Sequence, residues 1–587
     1  MAAVAANQTL VGVFRVTIAQ IRRRTPLPTP DFGAALHPVL RRVYASRGIS
    51  SDGELDLSLP RLLPVGSLGG VGAAAELLAA HRAAGRVLVI GDFDADGATS
   101  SALVVRALRA LGFAHVDFLV PNRFRFGYGL TPEIVALAAL RKPSLIVTVD
   151  NGVSSVEGVA AANALGIPVL VTDHHLSGAT LPRAAVIVNP NLAGSTFASP
   201  ALAGVGVAFY LIVALARLLS DVDFRPADLL DLVALGTVAD VVPLDRNNRI
   251  LVAEGLRRIR AGRCAAGVRA LLEVAGRRID QITAADLGFA VGPRLNAAGR
   301  LTDMSLGIEC LLTDDAAEAA RLASQLSTLN EERREIERRM QVEAVDIAAA
   351  VAKQADGAQS LGLCLFDETW HQGVIGLVAG RIKDRLHRPV IAFALAEDGS
   401  LRGSARGVAG VHIRDALDSI AARHPELIQK FGGHAMAAGL SLLRENFPAF
   451  SAAFAAEIAL RMTPESLTGV IESDGELQGG EICMETARAL RSAGPWGQGF
   501  PEPVFDGFFE VQDTRIVGEK HLKLRLRSAA RGESIDAIAF GWIGSEAESA
   551  GLRAGARVEV AYRLEVNEYN GSQNIQLNCQ HLQLAPR

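Results

Sequence analysis

From Arg86 onward, short continuous runs of β-branched and leucine residues alternate with Ala-rich stretches. RVLVIGDFD closes on Asp92–Asp96, SLIVTVD on Asp150, IPVLVTD on Asp173 and AAVIVNP on Asn189. Apolar runs of this kind, separated by helical stretches, predict a parallel sheet buried on both faces. From Asp150 to Asp173 the chain advances 23 residues, room for one helical crossover. Open parallel sheets bind ligands outside the carboxyl ends of their strands. The acids fall at those ends, so the pattern predicts one site rather than scattered carboxylates.

Further along, GVGVAFYLIVALARLL from Gly204 predicts a helix, and its GxG is read as a tight helix start rather than a phosphate loop. Residues 226–262 predict a further helix and carry another acid, Asp240, in ALGTVADVVPL. Residues 314–355 are strongly helical: Asp315 and Glu318 can form a capping box, and Leu322, Leu326, Leu329, Ile336 and Met340 keep near-heptad spacing. The charge run EERREIERR reads as the solvated face of a strut between two α/β segments. The second of these runs from Gly362 to Arg461. Beyond the linker GPWGQGFPEPVFDG, the runs VFDGFFEVQDTRIV, HLKLRLRS, SIDAIAFGWI and RVEVAYRLEV predict an antiparallel, OB-like β-barrel. The expected division is an N-terminal extension packing on the core (1–84), a parallel-sheet α/β domain (85–312), a long helix (313–355), a smaller α/β domain (356–465), and linker plus barrel (466–587).

Composition narrows the classes. A chain of 587 residues, 49% apolar and 21% charged, lies outside the disordered regime and can bury three or four cores. A formal net charge of −4 argues against a protein basic throughout, and leaves room for a locally basic groove. Five cysteines with no CxxC pair argue against a disulfide framework or zinc knuckle and for a reducing cytosol. No run approaches about 20 apolar residues, and the basic residues near the N-terminus follow its apolar part, the reverse of a secretory signal. The expectation is a cytoplasmic protein with no membrane association.

The candidate chemistry lies at the strand ends. Asp92, Asp94 and Asp96 crowd into five residues, but a calcium loop needs Glu at position 12, which is Leu103. Crowded carboxylates repel unless a cation neutralises them. Asp173, His174 and His175 add an imidazole ligand and a neighbour free to touch substrate. Oxygen-rich ligands with one or two imidazoles favour Mg²⁺ or Mn²⁺ over a thiolate-selected metal. Two such ions about 3.5–4 Å apart suit phosphoester hydrolysis.

DFDADG, VDNG, TDHH and GTVADVVPL resemble, in order, the four motifs of the DHH phosphoesterase superfamily. GPRLNAAGRL, WHQGVIGLVAGRI, RGSARG and FGGHAMAAG are similar to the further motifs of its RecJ-type members, single-strand-specific 5′→3′ exonucleases, over about residues 70–587. The resemblance implies metal ligation by Asp94, Asp96, Asp150, His174 and Asp240, with Asp150 bridging two ions. Asp92 is open between ligand and outer shell, because the histidine that related hydrolases place six residues before Asp96 is here Ile90. His175 is implied to contact the scissile phosphate, with Asp173 supporting it, and both join Asp150 as catalytic residues. The smaller α/β segment resembles a DHHA1 domain. Substrate contacts are implied for Arg123, Arg294, Asn296, Arg300, Ser404, Arg406, Gly432, Gly433 and His434. For GGHAMAAG the bland alternative is a tight helix-packing turn. Trp370 and His371 are open between a stacked base and a structural contact; Phe124, Phe126 and Tyr128 between base contacts and core. Lys520, Lys523, Arg525 and Arg527 predict either a nucleic-acid groove or a solvated strand face. The implied activity is processive 5′→3′ hydrolysis of single-stranded DNA to mononucleotides in repair and recombination. A metal-activated water would attack while the second ion and His175 stabilise charge. Single-strand binding protein and a RecQ-type helicase are implied partners. The alternative is a DHH hydrolase of short oligonucleotides or other small phosphate substrates.

Overall fold

The computed structural model describes residues 20–585 except 26–27, 29, 31, 34–35, 355–360, 464, 519–520, 529–531, 543–551 and 570. Lys520 and the side chain of Arg123 lie outside the described residues.

The apolar runs form a five-stranded parallel sheet in the spatial order His115–Leu119, Arg86–Gly91, Leu145–Val149, Val169–Thr172, Val186–Val188. Every residue of Leu145–Val149 and Val169–Thr172 is buried, as continuous apolar strands require when helices cover both faces. The half-exposed edge strand HVDFL is too polar to stand out in the sequence. Arg86–Gly91, the strand of this sheet that comes first in the chain, sits between the sheet's second and third, so the winding reverses there. That reversal puts a crevice beyond Gly91 and Val149, where Asp92 and Asp150 emerge.

The connecting helix runs from Ala316 to Gln354. Asp315 accepts the Glu318 amide at 2.7 Å, one half of the expected box, while Glu318 turns to Arg321. The helix lends Met340, Ala344 and Ala348 to the core of the second α/β domain. There Leu363–Phe366 and Val390–Leu395 pair in parallel, and Ser400–Arg406, Ala437–Leu443 and Lys430–Gly433 continue antiparallel.

The C-terminal strands close into a barrel in the order Phe505–Val517, His521–Ser528, Ser534–Ala539, Ser572–Leu584, Arg557–Tyr569. Two features depart from the expected antiparallel four strands. A fifth strand, SQNIQLNCQHLQL, alternates too weakly to read, and it closes the barrel in parallel against Ser534–Ala539. The barrel shares one continuous apolar core with the parallel-sheet domain, whereas the second α/β domain keeps separate cores. The N-terminal segment clasps the linker. Gln20–Arg23 pairs in parallel with Val470–Ser473, and Arg47 meets Asp474 at 2.7 Å with both side chains 2% exposed. Among the described residues no single helix is long and apolar enough to cross a membrane.

Candidate metal centre and substrate cleft

Each acid is positioned by a backbone device. Asp94 caps the helix Ala95–Ala110, its Oδ1 accepting the amides of Asp96 and Gly97 at 3.0 Å each. Asp96 accepts the amides of Gly204 (2.7 Å) and Val205 (2.9 Å) at the start of the helix Gly204–Leu218. Each oxygen keeps a further lone pair. Asp150 follows its strand at φ +61°, a conformation costly for a residue with a side chain. Asp240 is not at a strand end. It ends the helix Leu230–Ala239, which aims it back at the crevice.

These side chains converge. Ligand atoms of Asp92, Asp94 and Asp150 lie within 4.8 Å of one another, as do those of Asp96, His174 and Asp240, and those of Asp150, His174 and His175. His174 Nε2 is 3.1 Å from Asp150 Oδ1 and 3.4 Å from Asp240 Oδ2. Asp150 Oδ1 and His174 Nε2 are both buried without a hydrogen-bond partner among the described residues. An unmet acceptor beside an unmet imidazole nitrogen, inside a ring of carboxylates, fits a divalent cation by the chemistry of the donor set.

The electrostatics agree. Burial, then the charge of Asp94, pushes the Asp96 carboxyl up to about 7. Burial and the surrounding acids hold Asp150 and Asp240 well above the usual carboxylate range. Burial, then His175, lowers His174 to about 4, which leaves it neutral with a lone pair to donate. His175 goes the other way. Burial disfavours its charge, but Asp173 at 2.8 Å from Nδ1, together with Asp92 and Asp94, raises it. Burial likewise opposes the charge of Asp173, yet hydrogen bonds from His175 and the Val153 amide (2.9 Å) bring it below its ordinary value.

A sequence reading misses the role of two residues of this site. A Cβ on Gly204 would lie 2.6 Å from Asp150 Oδ1, so this glycine permits a carboxylate to touch the helix start. The sequence signal at Gly204 is the GxG, which reads as a tight helix start. Tyr128 is not a core aromatic: its hydroxyl donates to the Asp150 carbonyl (3.2 Å) and lies 3.0 Å from His175 Nδ1.

The remaining predicted residues divide. Ser404 and Arg406 sit over the start of the helix Ile375–Leu386, where a Cβ on Gly376 would meet Arg406 Nη2 at 2.8 Å and Ser404 Oγ at 2.9 Å. Arg406 donates to Ser404 Oγ and the Ala405 carbonyl, and among the described residues no carboxylate pairs with it. Burial alone lowers it. GGHAMAAG is a β-hairpin, not a helix-packing turn, and a Cβ on Gly432 would meet no protein atom within 4 Å. At Gly433, φ +145°, an added Cβ would collide with the backbone around Ala437 and Ala438, so only glycine fits there. His434 faces the cluster closely enough for His175 to depress it after burial does.

Others hold structure. Asn296 accepts the Ala95 amide at 2.8 Å, bracing the first acidic loop. Arg294 bonds to the Ala290 carbonyl and to Ser327 on the connecting helix. Arg300 donates to the Gly373 carbonyl across the domain boundary. Trp370 is 3% exposed and donates to Glu343 at 2.9 Å, so it is a core residue and no base platform. His371 accepts the Gly373 amide and lies edge-on to Phe124 across the cleft. On the barrel, Arg527 pairs with Glu510 (2.7 Å) and Lys523 with Asp536 (3.2 Å), and Arg525 stands in register with Asp513 and Asp536. The stripe is a cross-strand ladder of opposite charges rather than an open basic groove.

The chain matches family models described as DHH family, N-terminal domain (residues 86–237), DHHA1 domain (344–460) and RecJ OB domain (473–581). It is 52% identical over 568 residues to the single-stranded-DNA-specific exonuclease RecJ of Escherichia coli, covering 95% of this chain and 98% of that one. To the protein of the same name from Thermus thermophilus it is 36% identical, covering 91% and 73%. The crystal structure of RecJ from Thermus thermophilus in complex with Mn²⁺ superposes with a TM-score of 0.79 at 33% identity, covering 96% of this chain and 80% of that one. With near-complete coverage of relatives at this identity, the chain belongs to the RecJ family of single-stranded-DNA-specific exonucleases.

Proposed function

We propose that this chain is a divalent-metal-dependent exonuclease that hydrolyses single-stranded DNA processively from the 5′ end to mononucleotides, in repair and recombination. Single-strand binding protein and a RecQ-type helicase are its proposed partners. The observation that carries this reading is the buried carboxylate–imidazole ring around Asp150 Oδ1 and His174 Nε2. In this reading Asp92, Asp94, Asp96, Asp150, His174 and Asp240 hold two ions, Mn²⁺ or Mg²⁺. Such ions would acidify an attacking water and neutralise charge on the scissile phosphate.

The chain's own residues do the rest. His175, held at Nδ1 by Asp173 and Tyr128, keeps Nε2 for a non-bridging phosphate oxygen. Its raised proton affinity keeps a donor there as negative charge develops. Asp173 holds the ring's orientation and supplies the compensating charge.

Polarity requires recognition of one chain end. Arg406, Ser404 and the helix start beneath Gly376 form an anion cradle for a 5′-phosphate, since a guanidinium delivers two parallel charge-assisted bonds. One such contact contributes on the order of 1.5–3 kcal/mol, or roughly one to two decades in kcat/KM. Arg406→Ala should slow degradation of 5′-phosphorylated single strands by that factor and 5′-hydroxyl strands much less. Matched end-labelled oligonucleotides with Mn²⁺ or Mg²⁺ decide this. Equal losses on both ends would remove Arg406 from end recognition, and a wild-type protein inert on single strands would refute the function itself.

A further inference from the structure

A cavity of about 1030 Å³ opens where the parallel-sheet domain, the linker and the barrel meet. Its walls include Thr237, Val238 and Val241 around the end of the Asp240 helix, linker residues 494–498, and barrel residues 563–566. It therefore reaches from Val241, the residue that follows Asp240 in the chain, to the barrel; among the described residues none of the candidate metal ligands itself lines it. Two large apolar side chains stand in it exposed to water: Val241 at 63% and Phe289 at 78%. Phe289 lies on a π-helical turn, Leu287–Val291. The side of that turn facing Val238 is taken by Gly288, whose added Cβ would sit 3.2 Å from Val238 Cγ1. The wide turn thus packs its glycine inward and sends the phenyl ring out. An outward ring of this size gains nothing for folding, and π-turns concentrate at functional sites.

We propose that this cavity carries the single strand between the metal centre and the barrel, and that Phe289 is the platform on which one unpaired base stacks. The inference rests on the nuclease reading above and adds where the rest of the strand lies. The wall carries no net attraction for a polyanion, so the exposed ring is what this proposal stands on. Arg257, Arg260, Arg491 and Arg563 line the cavity alongside Asp56, Asp286, Glu502 and Glu565, and Arg563 is paired with Glu502 at 2.8 Å. Four cations against four acids cancel formally, which leaves ring stacking as the main grip. Stacking tolerates any base, as a strand advancing by one nucleotide per cycle needs.

The test uses the full chain with divalent metal chelated and single strands carrying 2-aminopurine at successive positions. In the wild type one position should be strongly quenched. Phe289→Leu should relieve that quenching and weaken binding of a 20-nucleotide strand roughly fivefold to a hundredfold. Phe289→Trp should restore both. Because the ring is 78% exposed, neither change should move the thermal midpoint, which serves as the folding control. Unchanged quenching and affinity in Phe289→Leu, with a wild type that still degrades single strands, would place the strand elsewhere and overturn the inference alone. A wild type that neither binds nor degrades single strands would instead overturn the underlying function.

Discussion

Substituting Gly204 by alanine puts the closest contact of the metal centre under strain. The added Cβ would lie 2.6 Å from Asp150 Oδ1, 2.7 Å from its Cβ and 2.8 Å from its Cγ, against about 3.4 Å for an ordinary contact. The carboxylate must therefore retreat by roughly 0.8 Å, or the helix start must. Asp150 has little room to yield: its φ is +61°, its carbonyl is held by Tyr128, and its Oδ1 sits 3.1 Å from His174 Nε2. If the helix moves instead, Asp96 loses the Gly204 and Val205 amides. A misplacement near 1 Å costs about a hundredfold in rate, equivalent to about 2.7 kcal/mol of barrier. Gly204→Ala should accordingly lower kcat/KM on a single-stranded oligonucleotide by about two decades, while its higher helix propensity, worth up to about 1 kcal/mol, offsets part of the packing strain. Gly206→Ala is the matched control, since its Cβ would press on the buried Leu202 side chain, Cδ1 at 2.6 Å and Cγ at 2.8 Å, and on no residue of the metal centre. The assay is steady-state hydrolysis of end-labelled strands, with manganese content and thermal midpoint measured on the same preparations. Wild-type activity in Gly204→Ala, or equal losses in both variants, would refute the argument that this approach positions Asp150.

Three further outcomes follow from the site. Asp150→Ala should abolish hydrolysis and lower metal occupancy, whereas His175→Ala should cripple turnover with metal content near normal; equal metal loss in both would show that ligand and substrate contact are misassigned. Tyr128→Phe should lower kcat about tenfold with little change in KM, because it removes one of the two partners of His175 Nδ1 and releases the Asp150 carbonyl, and an unchanged kcat would deny it a positioning role. In metal-free protein the Asp96 carboxyl at about 7 lies above its unfolded value, so the stability it contributes is present at low pH and is lost as pH rises toward 7. Bound divalent metal cancels that loss, so the rise in thermal midpoint on adding Mn²⁺ should grow between about pH 5 and pH 8; a flat or shrinking rise would contradict the raised carboxyls.

What could be read from the sequence was set by burial. Strands covered on both faces leave continuous apolar runs, so Asp92, Asp150 and Asp173 could be placed at one sheet edge by pattern alone. Asp240 could not, because it ends a helix, and only the motif resemblance brought it in. Trp370 reads as a possible base platform because its partner Glu343 lies on another element, 27 residues away in sequence. The barrel cations Lys523, Arg525 and Arg527 read as a basic stripe because a strand's own sequence carries no information about its register. Pairing with Glu510 and Asp536 is a property of neighbouring strands. Gly204 and Tyr128 escaped for the same reason: their role is a contact with a residue distant in sequence.

The strand Gln20–Arg23 has a consequence for how the chain is made. Its hydrogen-bonding partner, Val470–Ser473, follows about 450 residues later, the separation between Arg22 and Glu472. At about 5–20 residues per second, a ribosome needs roughly 20–90 s to supply that partner. Throughout that interval the first strand leaves the exit tunnel with its edge unsatisfied, a template for pairing with other chains. Its composition guards it: QIRR followed by Arg24 places three positive charges along the waiting edge. Those charges later find Glu472, Asp474 and Asp506. The arginines thus serve twice, first as gatekeepers against premature association and then as the lock that closes the finished molecule.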